Sequence, residues 1–262
     1  VTAQPALFVS HGSPMIVAEP CAARDFLSGL GGMLPRPDAI LVVSAHYDMP
    51  GAMVTTAARP GTVHDFGGFP EELYRLRYPA PGAPDLAARV AALVEHAGIP
   101  VRADPVRGFD HGAWVPLLLG WPAADIPVVQ LSISSAHSAE WHYRVGLALA
   151  PLRAENVLVI GSGNLTHNLR EVFAARRSPD AATPAWASEF AEWMADRLAA
   201  GDTASVLEAI AIGPHGLRNH PTPDHLLPLH AALGAGGAGA TATRLHQSYT
   251  YGVLAMDAYS FA

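Results

Sequence analysis

The sequence predicts an α/β protein in which a mostly parallel central sheet carries helices on both faces, with a site at the carboxyl ends of the strands. Three observations predict this. Short, nearly uncharged runs of Val, Ile and Leu alternate with longer stretches whose apolar residues recur at three- and four-residue spacing. Half of the 262 residues are hydrophobic and 15% are charged, enough to bury a large core without disulfides. Pro and Gly gather between the runs rather than inside them.

Taken in order, Ala6 to Ser10 and Ile40 to Ala45 are the first strands, continuously apolar as strands buried on both faces are. Asp85 to Glu95 carries an apolar stripe with charges between, and reads as a helix. Val128 to Ile133 is a strand, Trp141 to Leu152 a helix and Val157 to Gly161 a strand. Ala185 to Leu198 and Ala204 to Ile210 are helices. The run Gly234 to Gly239 reads as a joint, after which Ala242 to His246 and Tyr249 to Ala255 read as strands returning to the same sheet. The joints at Pro79 to Gly82, Pro105 to Gly108 and Gly213-Pro214 are too short to be linkers, and no repeat is visible, so residues 1–262 are expected to form a single domain.

Composition excludes several classes. The formal net charge of −7 offers no basic field to nucleic acid or to an anionic membrane. The richest apolar stretch, Ala113 to Ile126, is cut by Pro116, Pro122 and Asp125, so no segment reads as a membrane span. Cys21 is the one cysteine, which rules out an internal disulfide or a multi-thiolate metal site and favours a reducing, cytoplasmic setting. A chain beginning at Val1 lacks an initiator Met, which is compatible with a trimmed leader. A homo-oligomer is compatible with the sequence.

Thirteen histidines beside 16 Lys and Arg are unusual. His11, His46 and His167 each follow a buried strand, and the crevice beyond the carboxyl ends of such strands is where distant residues converge on a ligand. Any one of them alone is equally well explained as a loop cap; three together favour a site. His137 lies beside Ser135 and Ser138 at a helix start, where capping accounts for it. In His220-Pro-Thr-Pro-Asp-His225-Leu-Leu-Pro-Leu-His230 the five-residue spacing cannot turn all three rings to one ion, and Pro221 and Pro223 place a helix start near Thr222. That puts His225 in the first turns, where it can reach the crevice, and leaves His220 and His230 peripheral. His111 is flanked by Gly112, which lets another group approach the backbone, and by Phe109 and Trp114. His64-Asp65 opens a Gly-rich loop with Phe66 and Phe69, suited to wall a planar ligand and equally to be a tight turn.

No Gly-x-Ser-x-Gly elbow, Walker lysine or His-Glu-x-x-His is present, and Gly161-Ser162-Gly163 lacks the third glycine of a dinucleotide fingerprint. Metal-assisted chemistry with imidazole ligands remains.

Six motifs together resemble the class III extradiol ring-cleaving dioxygenases, nearest their DOPA 4,5-dioxygenase-like branch. These are His11-Gly-Ser-Pro14, Ser44-Ala-His46, His64-Asp-Phe-Gly-Gly-Phe-Pro70, Gly108-Phe-Asp-His111-Gly-Ala-Trp114, Gly163-Asn-Leu-Thr-His167-Asn-Leu-Arg170 and Thr222-Pro-Asp-His225. They run in consistent order over nearly the whole chain. The resemblance implies one catalytic domain with a non-haem Fe(II) that opens a catechol beside its two hydroxyls, using both atoms of O₂. It implies His11, His46 and His225 as metal ligands, with His167 as the base and close enough to be a fourth ligand in a Zn(II)-loaded form. His111 would steady O₂ or substrate, and His64, Asp65 and His111 would contact substrate. The protocatechuate branch of the wider superfamily has a Glu where this chain has His225, and an all-imidazole set is a weaker pointer to iron than two histidines and a carboxylate.

Elementary chemistry agrees with that assignment. A catechol must lose a proton to chelate a metal through both oxygens, a task suited to an imidazole such as His167. Two other readings stand beside it: a zinc hydrolase with a His-rich site, and a non-catalytic protein that binds an aromatic ligand. The charged arm of a substrate has two candidate partners near the motifs, Arg170 and Arg218.

Overall fold

The computed structural model describes residues 3–174 and 177–262. Its strands are β1 (Ala6–Ser10), β2 (Ala39–Asp48), β3 (Ala52–Thr55), β4 (Val101–Asp104), β5 (Val128–Ile133), β6 (Val157–Gly163), β7 (Ala242–His246), β8 (Tyr249–Thr250), β9 (Leu254–Ala255) and β10 (Ala258–Phe261). The longer helices are α1 (Ala22–Met33), α3 (Pro84–His96), α4 (His111–Gly120), α5 (Ala139–Leu149), α7 (Ala185–Ala199) and α11 (Leu227–Gly236). Short helices α2 (Glu71–Arg75), α6 (Leu169–Ala174), α8 (Thr203–Leu207), α9 (Ala209–Ile212) and α10 (Gly216–Asn219) fill the connections.

The main sheet runs β4-β3-β5-β2-β6-β1-β10-β7. Its centre, β5-β2-β6-β1, is parallel throughout, while β10 and β7 extend it antiparallel at one side. Alternate residues of the central strands feed two cores. Leu7, Val9, Ile40 and Val42 meet α1 and α4 on one face, and Phe8, Leu41, Val43 and Val159 meet α3, α5 and α11 on the other. The expected mostly parallel sheet with helices on both faces is therefore present, and the four predicted central strands are β1, β2, β5 and β6. Among the described residues no helix is long and apolar enough to cross a membrane.

Three expectations need correction, one of them the joint expected at Gly234 to Gly239, whose first three residues are helical in α11. Tyr249 to Ala255 does not return to the main sheet: Tyr249–Thr250 and Leu254–Ala255 pair with each other across a turn in which Tyr251 and Gly252 have positive φ. The segment that returns is β10, too short and too mixed in composition to announce itself. Nor does a helix begin near Thr222. The His225 carbonyl accepts a hydrogen bond from the Asn164 amide at 3.0 Å, tying this stretch to the end of β6 and delaying the helix until Leu227.

Much of the histidine excess is structural. His142 accepts from the Ser134 amide through Nε2 at 3.0 Å and faces the Ser138 carbonyl through Nδ1 at 2.8 Å. His220 bonds the Leu165 carbonyl and His230 the Val206 carbonyl, each fully enclosed. His137 stacks on Trp141, and the α5 cap is Ser138.

Candidate active site

The carboxyl ends of β1, β2 and β6 open on one cavity of about 550 Å³. His11 is the first residue after β1, His46 lies near the end of β2, and His167 follows β6 by four residues. His225 is brought in by the bond between its carbonyl and Asn164, and His111 is the first residue of α4. All five line the cavity.

Three of the rings point one nitrogen at a common locus. His11 Nε2 lies 3.1 Å from His46 Nε2, which lies 3.3 Å from His225 Nε2. Each opposite nitrogen is held by an acceptor. His11 Nδ1 is 3.0 Å from Ser162 Oγ, whose own proton goes to the Gly112 carbonyl, so the imidazole must be the donor. His46 Nδ1 is 3.3 Å from one Asp65 oxygen, and His225 Nδ1 is bonded to Asp224. The Nε2 lone pairs are thereby left bare and turned towards each other. Neutral acceptors that close repel unless a cation lies between them, and their separations are near the ~3.4 Å edge expected of a tetrahedral site with bonds of about 2.1 Å. The donor set fits a divalent transition metal.

Burial keeps His11, His46 and His167 neutral. Burial, followed by the neighbouring imidazoles, holds His11 and His46 well below the usual histidine range, with Asp65 pulling His46 the other way. Burial and His225 depress His167 to about 2, so its ring is neutral. It stacks on His225 with centroids 3.5 Å apart. Burial alone would raise Asp65, but the bonds and charge of His111 and the charge of His46 hold it down to about 2.

Asp65 is the hinge of the second layer. Its other oxygen accepts from the His111 amide and from the His111 ring Nδ1, both at 2.9 Å, so one carboxylate fixes two imidazoles and leaves His111 Nε2 uncommitted. Side-chain atoms of His11, His46 and His111 that could serve as metal ligands lie within 4.8 Å of one another, as do those of His167, Asp224 and His225. Gly112 is required next to His111, since a methyl there would lie 2.4 Å from Ser44 Oγ and 3.0 Å from His46 Cδ2.

The expected substrate contacts divide. His111 and Asp65 line the cavity, although the Asp65 carboxylate is engaged as described. His64 does not line it: its Nε2 faces the Leu76 carbonyl at 3.1 Å and its ring packs near Phe66, Tyr74 and Trp114. Arg170 is exposed, and Arg218 is paired with Glu171 over the Trp186 ring. Sequence reasoning missed the supports. Ser162 drew notice only for the glycines around it, and Asp110 only as a neighbour of His111. The Asp110 carboxylate is fully buried and accepts from Ser44, Gln130 and Arg107 while capping α4.

Comparison with known proteins bears on this arrangement. Residues 5–258 match the family described as the catalytic LigB subunit of aromatic ring-opening dioxygenase. The chain belongs to this family. It is an extradiol aromatic ring-opening dioxygenase of the LigB type, like its relatives. A protein of Beta vulgaris named 4,5-DOPA dioxygenase extradiol is 40% identical over 97% of this chain and 95% of its own. One of the same name from Escherichia coli K12 is 45% identical over 89% and 86%. A crystal structure of an uncharacterized Escherichia coli K12 protein superposes on this LigB-type dioxygenase with a TM-score of 0.81 at 37% identity, covering 99% of this chain and all of that one.

Proposed function

We propose that this dioxygenase opens a catechol ring beside its two hydroxyls, taking both atoms of O₂ into the product, with Fe(II) held by His11, His46 and His225. The observation that carries the reading is the convergence of three Nε2 atoms at 3.1 and 3.3 Å, each ring fixed from behind by Ser162, Asp65 or Asp224. When bound, Fe(II) supplies the redox chemistry that activates O₂ and a charge that a catecholate neutralises, whereas Zn(II) in the same seat supplies charge alone.

The protein's own part is proton handling, orientation and exclusion of water. His167, neutral in the cavity, accepts a catechol proton, and the anion so formed beside it raises its proton affinity. His111, with its Nδ1–H given to Asp65, presents the Nε2 lone pair as an acceptor for a substrate hydroxyl. Phe66 and Phe69 give the ring an apolar wall. The names of the relatives make DOPA the first compound to try. Anaerobic reconstitution with Fe(II), followed by an O₂ electrode and spectra across a panel of catechols, tests the reading. One O₂ consumed per ring opened is expected, and equal turnover by zinc-loaded, iron-free protein overturns the assignment of iron.

A further inference from the structure

The cavity that the histidines face has a second chemistry. Leu169, Val172, Phe173 and Tyr251 join Phe66 and Phe69 in its lining, so it is largely apolar. Among the described residues that line it, Arg177 carries the one permanent positive charge and Asp65 the one carboxylate. Asp65 is engaged with His46 and His111. Arg177 is not comparably engaged: Nη1 donates to the Ala182 carbonyl at 3.3 Å, and Nε is buried with no hydrogen-bond partner among the described residues. A guanidinium has five donors in a fixed fork matched to a carboxylate, and an unmatched buried donor carries a desolvation cost that an anion removes. Asp224, beside the lining residues His167 and His225, is engaged with the His225 ring, and Glu19 lines a separate small adjoining pocket and is exposed, where attraction for a cation is screened.

We infer that Arg177 is a specificity-determining residue that receives a carboxylate on the arm of the substrate, and that an ammonium on the same arm finds no anionic partner. The inference rests on the reading of the site as a catechol site. It makes a catechol with a plain alkanoate arm at least as good a substrate as the amino-acid catechol, and an amine-terminated catechol a poor one.

The test compares 3-(3,4-dihydroxyphenyl)propanoate, DOPA, dopamine and 4-methylcatechol on Fe(II)-loaded enzyme, as kcat/KM in air and as Kd under anaerobic conditions. The propanoate is expected to match or exceed DOPA, with dopamine at least about tenfold below both, the scale of one hydrogen bond to a charged group. In Arg177→Met the preference for propanoate over 4-methylcatechol should fall roughly 10- to 100-fold, with partial rescue in Arg177→Lys and none of this loss in exposed Arg170→Met. An unchanged preference in Arg177→Met, or DOPA favoured over the propanoate by more than about tenfold, overturns the inference. If no catechol is opened, the ring-cleavage reading fails, while the anaerobic Kd ratios still decide the role of Arg177.

Discussion

His11 leans on a serine hydroxyl, whereas His46 and His225 lean on carboxylates, and this difference makes the three imidazoles unequal. A carboxylate behind an imidazole raises its basicity more than a hydroxyl does, and loss of such a partner typically weakens metal binding 10- to 100-fold, on the order of a second-layer contact. Asp65→Asn is therefore expected to weaken binding of the proposed metal more than Ser162→Ala, and to disturb His111 as well, because one carboxylate serves both rings. Iron stoichiometry and Kd in the two variants check the order; equal affinities would deny Asp65 that role. Removal of a proposed ligand, in His11→Ala, His46→Ala or His225→Ala, should abolish metal binding, and full occupancy in any of them by elemental analysis would place the metal elsewhere. His167→Ala should keep iron and lose a factor of roughly 10²–10⁴ in kcat, the usual worth of a general base. Loss of the iron instead would make His167 a ligand. His11, His46 and His167 were legible because strand ends advertise them; Ser162, Asp110 and Arg177 were not, since a serine in a strand, an acid before a helix and an arginine in a loop are ordinary.

The helices with a polar face, α3, α5 and α7, were visible as apolar stripes, but α4 and α11 were not. Nearly every residue of α4 and all of α11 are buried, so neither has a polar face to set the period, and α4 even contains Pro116. The end of α11, Gly234 to Gly236, read as a joint because glycine is a poor helix former. Here glycine serves packing. A methyl on Gly234 would lie 2.1 Å from the Tyr143 carbonyl, and one on Gly146 would lie 2.1 Å from the Ala231 carbonyl, so the two helices cross almost backbone to backbone. Gly146→Ala should force them apart at a cost of about 1–3 kcal/mol or more, the range for overpacking a tight contact. Urea unfolding measures it, and a variant as stable as the parent would show that the crossing has room.

Across the whole molecule, buried histidines set the response to acid. Burial depresses His142 and His220 to about 4 and His230 to about 3. Their folded pKa values lie below the 6.5 of a free imidazole, so the unfolded chain takes up more protons as pH falls. The stability they contribute is complete above 6.5 and is lost towards 4, at roughly 1.4 kcal/mol per site per pH unit. Burial raises Asp257 to about 7 against the pull of Arg244, which has the opposite sign: its share is present below 3.8 and lost as pH rises through 7. Three sites outweigh one, so urea midpoints of metal-free protein should fall steadily from pH 7 to 5 and gain nothing above 7; a flat profile would contradict the buried neutral rings. The position of β10 has a consequence in time. It fills the place between β1 and β7, and the Asp257 carbonyl accepts from both the amide and the hydroxyl of Ser10, the residue before His11. The first strand of the chain thus acquires its last neighbour from residues some 250 positions later. Such long-range pairing is slow to form, and until it does β1 presents an open edge to other chains. During synthesis the histidine cluster is expected to be among the last parts of the molecule to take shape.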